Sequence, residues 1–220
     1  MSIKKDLLEI KATLPENVTL VAVSKTKPIS DLMEAYEAGQ RIFGENKIQE
    51  MAEKFEEMPK DIQWHMIGHV QTNKVKYMAA FVSLVHGVDS LKLLMEINKQ
   101  ASKKNRVIEC LLQIHIAEEE TKFGLDLSEL DEIISEIQNE KFGNIKIVGL
   151  MGMATFTENQ DQIKKEFLFL KSIFDKNQSL NTKNCKLQTL SMGMSGDYKL
   201  AIECGSTMVR IGSSIFGTRN

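Results

Sequence analysis

The sequence predicts a (β/α)8 barrel of the TIM type, carrying one extra N-terminal helix and forming a single domain over residues 1–220. Three observations predict it. Short, apolar, β-branched runs alternate eight times with segments of helical spacing. The connections are short, with no linker, charge block or low-complexity tract between them. The alternation also stays even to the last residues, and eight is the number of parallel strands that closes a barrel, in a chain of roughly 250 residues. An open doubly wound sheet is the competing fold.

Each element follows from its residues. Leu7, Leu8, Ile10 and Leu14 mark an amphipathic first helix that ends before Pro15. Val18 to Pro28 opens as a strand buried on both faces; Lys25 stands at its C-terminal end, and Pro28 stops the ladder. Ser30 is the N-cap candidate of the next helix and Gly39 its stop. Arg41 to Asn46 is a strand, Lys47 to Glu57 a helix, Gln63 to Gly68 a strand and Asn73 to Phe81 a helix. The fourth strand is Leu84 to Asp89, with its helix from Ser90 to Lys104. Val107 to Ile116 is strand five, followed by a helix from Ser128, its cap, to Gln138. Ile145 to Met151 is strand six. The helix after it, Asp161 to Asp175, shows Ile163, Phe167, Leu170 and Phe174 at helical spacing. Lys186 to Ser191, a short helix from Tyr198 to Cys204, and Met208 to Ile211 complete the set.

Composition excludes several classes of function. A net charge of -2 leaves no electrostatic footprint for nucleic acid or an anionic membrane. No apolar run approaches the roughly 20 residues that span a bilayer, and the N-terminus leads into no signal-peptide core, so a cytoplasmic protein is expected. Cys110, Cys185 and Cys204 are scattered, as suits buried thiols in a reducing compartment. No metal site is expected, because His65, His69, His86 and His115 lack a companion ligand set. Hydrolase elbows, Walker sequences and dinucleotide fingerprints are absent.

Barrel enzymes place their chemistry at the C-terminal ends of the strands. There the first strand offers Lys25, an amine held against an apolar wall, the setting in which lysine serves in Schiff bases. Taken alone, the segment favours a lysine that snorkels into solvent. Strands seven and eight end in Ser191-Met-Gly-Met-Ser195 and Gly212-Ser213-Ser214, whose glycines and hydroxyls let backbone N–H groups approach an anion. Arg210 interrupts an otherwise buried strand and needs partners, for which Glu45 or Glu203 is the simplest expectation. An amine nucleophile, a phosphate cradle and a fixed cation together describe a pyridoxal 5'-phosphate pocket.

The same residues carry a family likeness. Val21-Ala-Val-Ser-Lys-Thr-Lys-Pro28, Phe43-Gly-Glu-Asn46, Trp64-His-Met-Ile-Gly-His-Val-Gln-Thr-Asn-Lys74, Ser191-Met-Gly-Met-Ser195 and Val209-Arg-Ile-Gly-Ser-Ser-Ile-Phe-Gly217 resemble the pyridoxal phosphate homeostasis proteins. Those proteins are themselves similar to the barrel domain of alanine racemase. The resemblance implies that Lys25 forms the Schiff base and that Met194, Ser195, Gly212 and Ser213 hold the phosphate, largely through backbone N–H groups. It also implies that Arg210 faces the pyridine nitrogen, and that Asn46 and His65 contact the ring at the mouth. Lys27 is expected as a rim cation and Lys74 as a helix-surface contact. Two positions depart from the family pattern: His115 replaces an expected Asn, and Met151-Gly-Met-Ala-Thr155 is an unusual end to strand six.

Arginine can donate but cannot accept, so at the pyridine nitrogen it favours an unprotonated ring, which is a poor electron sink. The expectation is therefore a cofactor-holding protein of pyridoxal phosphate homeostasis with no catalytic residues, monomeric, with cofactor-dependent apoenzymes as the recipients. A weak amino-acid racemase is the alternative, although the chain stops at Asn220 with no room for the racemase second domain. A third reading is an aldolase-like barrel in which the same cradle holds a phosphorylated sugar.

Overall fold

A computed structural model describes residues 2–119, 122–138 and 142–218; Met1 and Asn220, which bound the expected domain, lie outside them. Helix α1 (Ile3–Thr13) is capped by Ser2, whose hydroxyl accepts from the Lys5 N–H, and buries Leu7 and Ile10. The alternation then runs β1 (Thr19–Val23), α2 (Ile29–Glu37), β2 (Ile42–Glu45), α3 (Ile48–Glu57), β3 (Gln63–Met66), a 3₁₀ helix (Thr72–Tyr77) and β4 (Leu84–Val88). It continues with α4 (Leu91–Lys103), β5 (Ile108–Gln113), α5 (Leu127–Gln138), β6 (Ile145–Met151), α6 (Gln160–Asn177), β7 (Cys185–Met194), α7 (Tyr198–Glu203), β8 (Met208–Ile211) and α8 (Ser213–Phe216).

The eight strands pair in parallel in chain order, and β8 returns to β1 through the register Val21↔Arg210, so the sheet closes on itself. This is the expected TIM-type barrel with its extra N-terminal helix. Strand periodicity divides the residues between two layers. Ala22, Phe43, Trp64, Met66 and Val209 join the helices in the outer core. Val21, Leu84, Leu111, Val148, Met151 and Met208 form the inner layer. At Gly149 a Cβ atom would lie 1.8 Å from the Thr189 carbonyl oxygen, so β6 and β7 can approach as they do only with glycine there.

Three local expectations differ from what is observed, and one small element is added. Ser30 lies inside α2, where Pro28 occupies the cap position without a side-chain bond. At α5 the cap is Asp126: it accepts from the Glu129 N–H while Glu129 accepts from the Asp126 N–H, a reciprocal box that Ser128, two residues further on, cannot form. The third crossover is 3₁₀ because Thr72, Asn73, Val75 and Tyr77 are all modest helix formers in a short segment. A two-residue strand, Asn181–Thr182, forms an antiparallel hairpin with the start of β7, outside the barrel.

Candidate functional site: a cavity at the strand ends

A cavity of about 600 Å³ opens at the C-terminal end of the barrel. Lys25, Asn46, Met194, Ser195, Arg210, Gly212 and Ser213 all line it, seven of the eight residues expected from the sequence.

Lys25 follows β1 in the turn Lys25-Thr26. Thr26 has φ +64°, a left-handed conformation that costs a β-branched residue about 1–3 kcal/mol. The turn is held from behind the sheet. Period-two alternation sends Gly44 and Asn46 of the β2 end inward and Glu45 outward, under α3. There Glu45 Oε1 accepts from Lys54 Nζ at 2.8 Å and from Ser24 Oγ at 2.6 Å. Lys54 Nζ also donates to the Ser24 carbonyl and to Glu50 Oε1, each at 2.8 Å, and Glu50 Oε1 accepts the Thr26 N–H at 2.5 Å. Burial pushes the Glu45 carboxyl above its ordinary range, against the pull of Lys54 and Ser24. This cluster was not read from the sequence, although Glu50 and Lys54 stand four apart on one helix.

Arg210 points inward from β8. Its Nη1 donates to the Ser191 carbonyl at 2.9 Å and to Ser191 Oγ at 2.5 Å, and its Nη2 donates to the Gly152 carbonyl at 3.0 Å. Neither expected carboxylate partner is used: Glu45 faces the opposite side of the sheet and Glu203 is exposed on α7. Among the described residues the guanidinium makes three hydrogen bonds, fewer than its five N–H groups can donate, and Arg210 lines the cavity. Burial brings the Arg210 pKa down to about 10, with Asp197 acting in the opposite sense, so the group stays charged.

His65 departs from its expected place at the mouth. Trp64 and Met66 face the helices, so His65 and Ile67 face inward; Ile67 reaches the cavity, and His65 lies one inward position below it. Its Nδ1 is 3.0 Å from His86 Nε2, and His86 Nδ1 is 3.1 Å from Ser191 Oγ. Burial pulls the pKa of His65 down to about 3 and that of His86 well below its usual range, so both rings are neutral.

At the β7 and β8 ends, Ser195 Oγ accepts from the Gly212 N–H at 3.2 Å. Among the described residues the Ser195, Gly196 and Ser213 N–H groups donate to no other group of the chain. Met194 differs from expectation: its N–H is bonded to Asp197 Oδ1 at 2.5 Å, so it offers the cavity a side chain in place of a donor. Burial, the largest influence on Asp197, raises its carboxyl pKa.

The rim adds groups beyond the expected cofactor contacts. His69 Nδ1 is 2.8 Å from Asp89 Oδ2, and its ring stacks on Phe123 at 3.9 Å between centroids. Gln113 Nε2 donates to the Phe123 carbonyl at 2.7 Å, tying that loop to the end of β5. His115 is bonded through Nε2 to the Glu119 carbonyl and is not among the lining residues, whereas Met153 of the unusual sixth-strand end is. Lys27 lines the rim and donates to the Thr218 carbonyl; Lys74 lies over the Tyr77 ring at 5.8 Å.

Comparison with known proteins assigns the family. The family model for the alanine racemase N-terminal domain matches residues 1–220. The pyridoxal phosphate homeostasis protein of Aquifex aeolicus is 39% identical, over 91% of this chain and 86% of that protein. PipY of Synechococcus elongatus PCC7942, solved without PLP, superposes with a TM-score of 0.91 at 32% identity, over 98% of this chain and all of that one. The same protein solved with PLP bound gives 0.87. By whole-length match in sequence and in barrel, the chain belongs to the pyridoxal phosphate homeostasis proteins, which share the alanine racemase N-terminal fold.

Proposed function

We propose that the protein holds pyridoxal 5'-phosphate as a reversible imine on Lys25 and serves to store the cofactor and pass it on, with no reaction of its own. The observation that carries this reading is the convergence of Lys25, Arg210 and the Ser195–Gly212–Ser213 rim on one cavity of about 600 Å³. The residues suit the group. Unengaged N–H donors and Lys27 stand where a phosphate would be held, the guanidinium can donate beyond its three bonds to a ring acceptor, and the described lining contains no carboxylate. PipY binds the same molecule in its solved structure.

The bound group would supply an aldehyde and Lys25 the amine that condenses with it, C=N replacing C=O and the oxygen leaving as water with the two amine protons. Added water reverses the step, which is what release to an apoenzyme needs. Arg210, which donates and cannot accept, keeps the ring nitrogen unprotonated and so disfavours carbanion chemistry. The cysteines of this chain, all unpaired by disulfides and buried, suit a reducing cytoplasm, and no described helix is long and apolar enough to cross a membrane. Monomeric state belongs to the same reading and is read by sedimentation.

The test is borohydride reduction of the loaded protein followed by peptide mass spectrometry. The adduct is expected on Lys25, and Lys25→Ala is expected to lose it while folding normally. An adduct on another lysine, or no uptake at all, overturns the assignment. Rapid exchange of amino-acid α-protons in deuterated water by the loaded protein overturns the non-catalytic part in favour of weak racemase chemistry.

A further inference from the structure

We infer that Ser191, His86 and His65 form a one-way hydrogen-bond relay that fixes the Arg210 guanidinium, making them positioning residues for the ring nitrogen. The inference rests on the reading of the cavity as a pyridoxal phosphate site with Arg210 at the pyridine nitrogen.

Hydrogen-bonding capacity assigns the direction of every step. Arg210 has donors only, so Nη1 donates to Ser191 Oγ across 2.5 Å. The hydroxyl proton must then go elsewhere, and the acceptor in reach is His86 Nδ1 at 3.1 Å. A neutral imidazole carries one N–H, so with Nδ1 accepting, His86 Nε2 carries the proton and donates to His65 Nδ1 at 3.0 Å. His65 is left as the Nε2–H tautomer by the same rule. The reverse direction, with His86 Nδ1–H donating to the serine, would leave a buried hydroxyl proton without an acceptor.

The chain is buried along its length: Ser191 and His86 are 0% exposed, and His65 and Arg210 4%. Burial holds both imidazoles neutral, so no member can take a proton from the guanidinium or present a charge that turns it. Four strands contribute one link each, β8, β7, β4 and β3, so the orientation of Arg210 is set by barrel closure. Together with the Ser191 and Gly152 carbonyls, the relay accounts for the three hydrogen bonds that hold the guanidinium at the cavity lining.

The experiment uses the full-length protein loaded with pyridoxal 5'-phosphate isotopically labelled at the ring nitrogen. Its nitrogen NMR shift at neutral pH is read in wild type, Ser191→Ala, His86→Leu and His86→Asn, beside borohydride trapping at Lys25. Wild type is expected to show an unprotonated, hydrogen-bonded ring nitrogen. In Ser191→Ala and His86→Leu the nitrogen pKa should rise by about one unit or more, moving the shift toward the protonated position, while the Lys25 adduct still forms. His86→Asn, whose amide oxygen can accept from Ser191, should return the wild-type shift; a merely structural role predicts no such rescue. Wild-type shifts in folded Ser191→Ala and His86→Leu overturn the relay. A protonated wild-type nitrogen, or no Lys25 adduct in wild type, overturns the underlying site reading instead. Should His86→Leu not fold, Ser191→Ala, which removes a single oxygen atom, decides.

Discussion

Replacing Lys54 by methionine tests how the Lys25 turn is held. Lys54 is 6% exposed and Glu45 0%, and the ammonium makes three hydrogen bonds of 2.8 Å. Without it, Glu45 is an uncompensated buried carboxylate whose Oε2 already lacks a partner. Removing one member of a buried pair costs about 3–5 kcal/mol. The structure sets a ceiling on this term, because Glu45 can escape by taking a proton. From its ordinary pKa of 4.5, protonation at pH 7 costs about 1.36 × 2.5, or about 3.4 kcal/mol, and at pH 5.5 about 1.4 kcal/mol.

The variant is therefore expected to lose about 3 kcal/mol at pH 7 and about 2 kcal/mol less than that at pH 5.5. The sign follows from the folded pKa lying above the unfolded one: the folded state binds the extra proton, so stability falls as pH rises above about 4.5 and levels off beyond the raised pKa. Urea unfolding followed by circular dichroism at the two pH values measures both numbers. Adding Glu45→Gln should restore stability to within about 1.5 kcal/mol of wild type, since no buried charge then remains. A loss below about 1 kcal/mol at pH 7, or an equal loss at both pH values, would refute the reasoning. The folded single variant should also trap less cofactor at Lys25, because the Ser24 carbonyl loses its anchor.

His65, pulled down to about 3 by burial, must fold neutral, so stability present above its unfolded pKa of 6.5 is lost as pH falls. That contribution reaches about 2 kcal/mol by pH 5, and His65→Gln should flatten the acid limb of a stability–pH curve by the same amount. Gly149→Ala would push a methyl group into the Thr189 carbonyl of the neighbouring strand, and a loss of about 3 kcal/mol or more, read as a lowered urea midpoint, is expected from this overpacking.

The barrel was legible because each strand is a dense apolar run and each crossover has its own period, both local properties. Seven cavity residues were legible for the same reason: each stands at the end of one run, and the fold rule says where ends go. Facing was legible only in principle. Period-two alternation applied to Trp64-His65-Met66 would have put His65 below the mouth, and applied to Phe43-Gly44-Glu45 would have sent Glu45 outward to Lys54. Partners across the barrel were not legible at all. His86 and Ser191 stand 105 residues apart, and nothing local to either segment announces the other. Caps failed for a smaller reason, since Asp126 and Ser128 are both competent and only the reciprocal bond to Glu129 chooses between them.

Taken together, the two polar systems explain where charge is allowed. The carboxylates that fix the Lys25 turn, Glu45 and Glu50, act from the outer face, and the described cavity lining holds Lys25, Lys27 and Arg210 with no acid among them. The described lining therefore carries positive charge, and the local field favours a phosphate-bearing guest. A racemase pocket needs a proton donor at the ring nitrogen or bases on both faces of the guest. On the proposed reading the ring nitrogen would meet a guanidinium held as donor, and Asp197, the acid that acts on Arg210, is turned to the Met194 N–H. Introducing an acceptor at the ring, as in Arg210→Glu, would place a carboxylate among Ser191 and Gly152 carbonyls that need donors. The expected cost of that mismatch is several unsatisfied buried groups at about 1–3 kcal/mol each, so the strand-end frame around Arg210 selects a donor at this position over an acid.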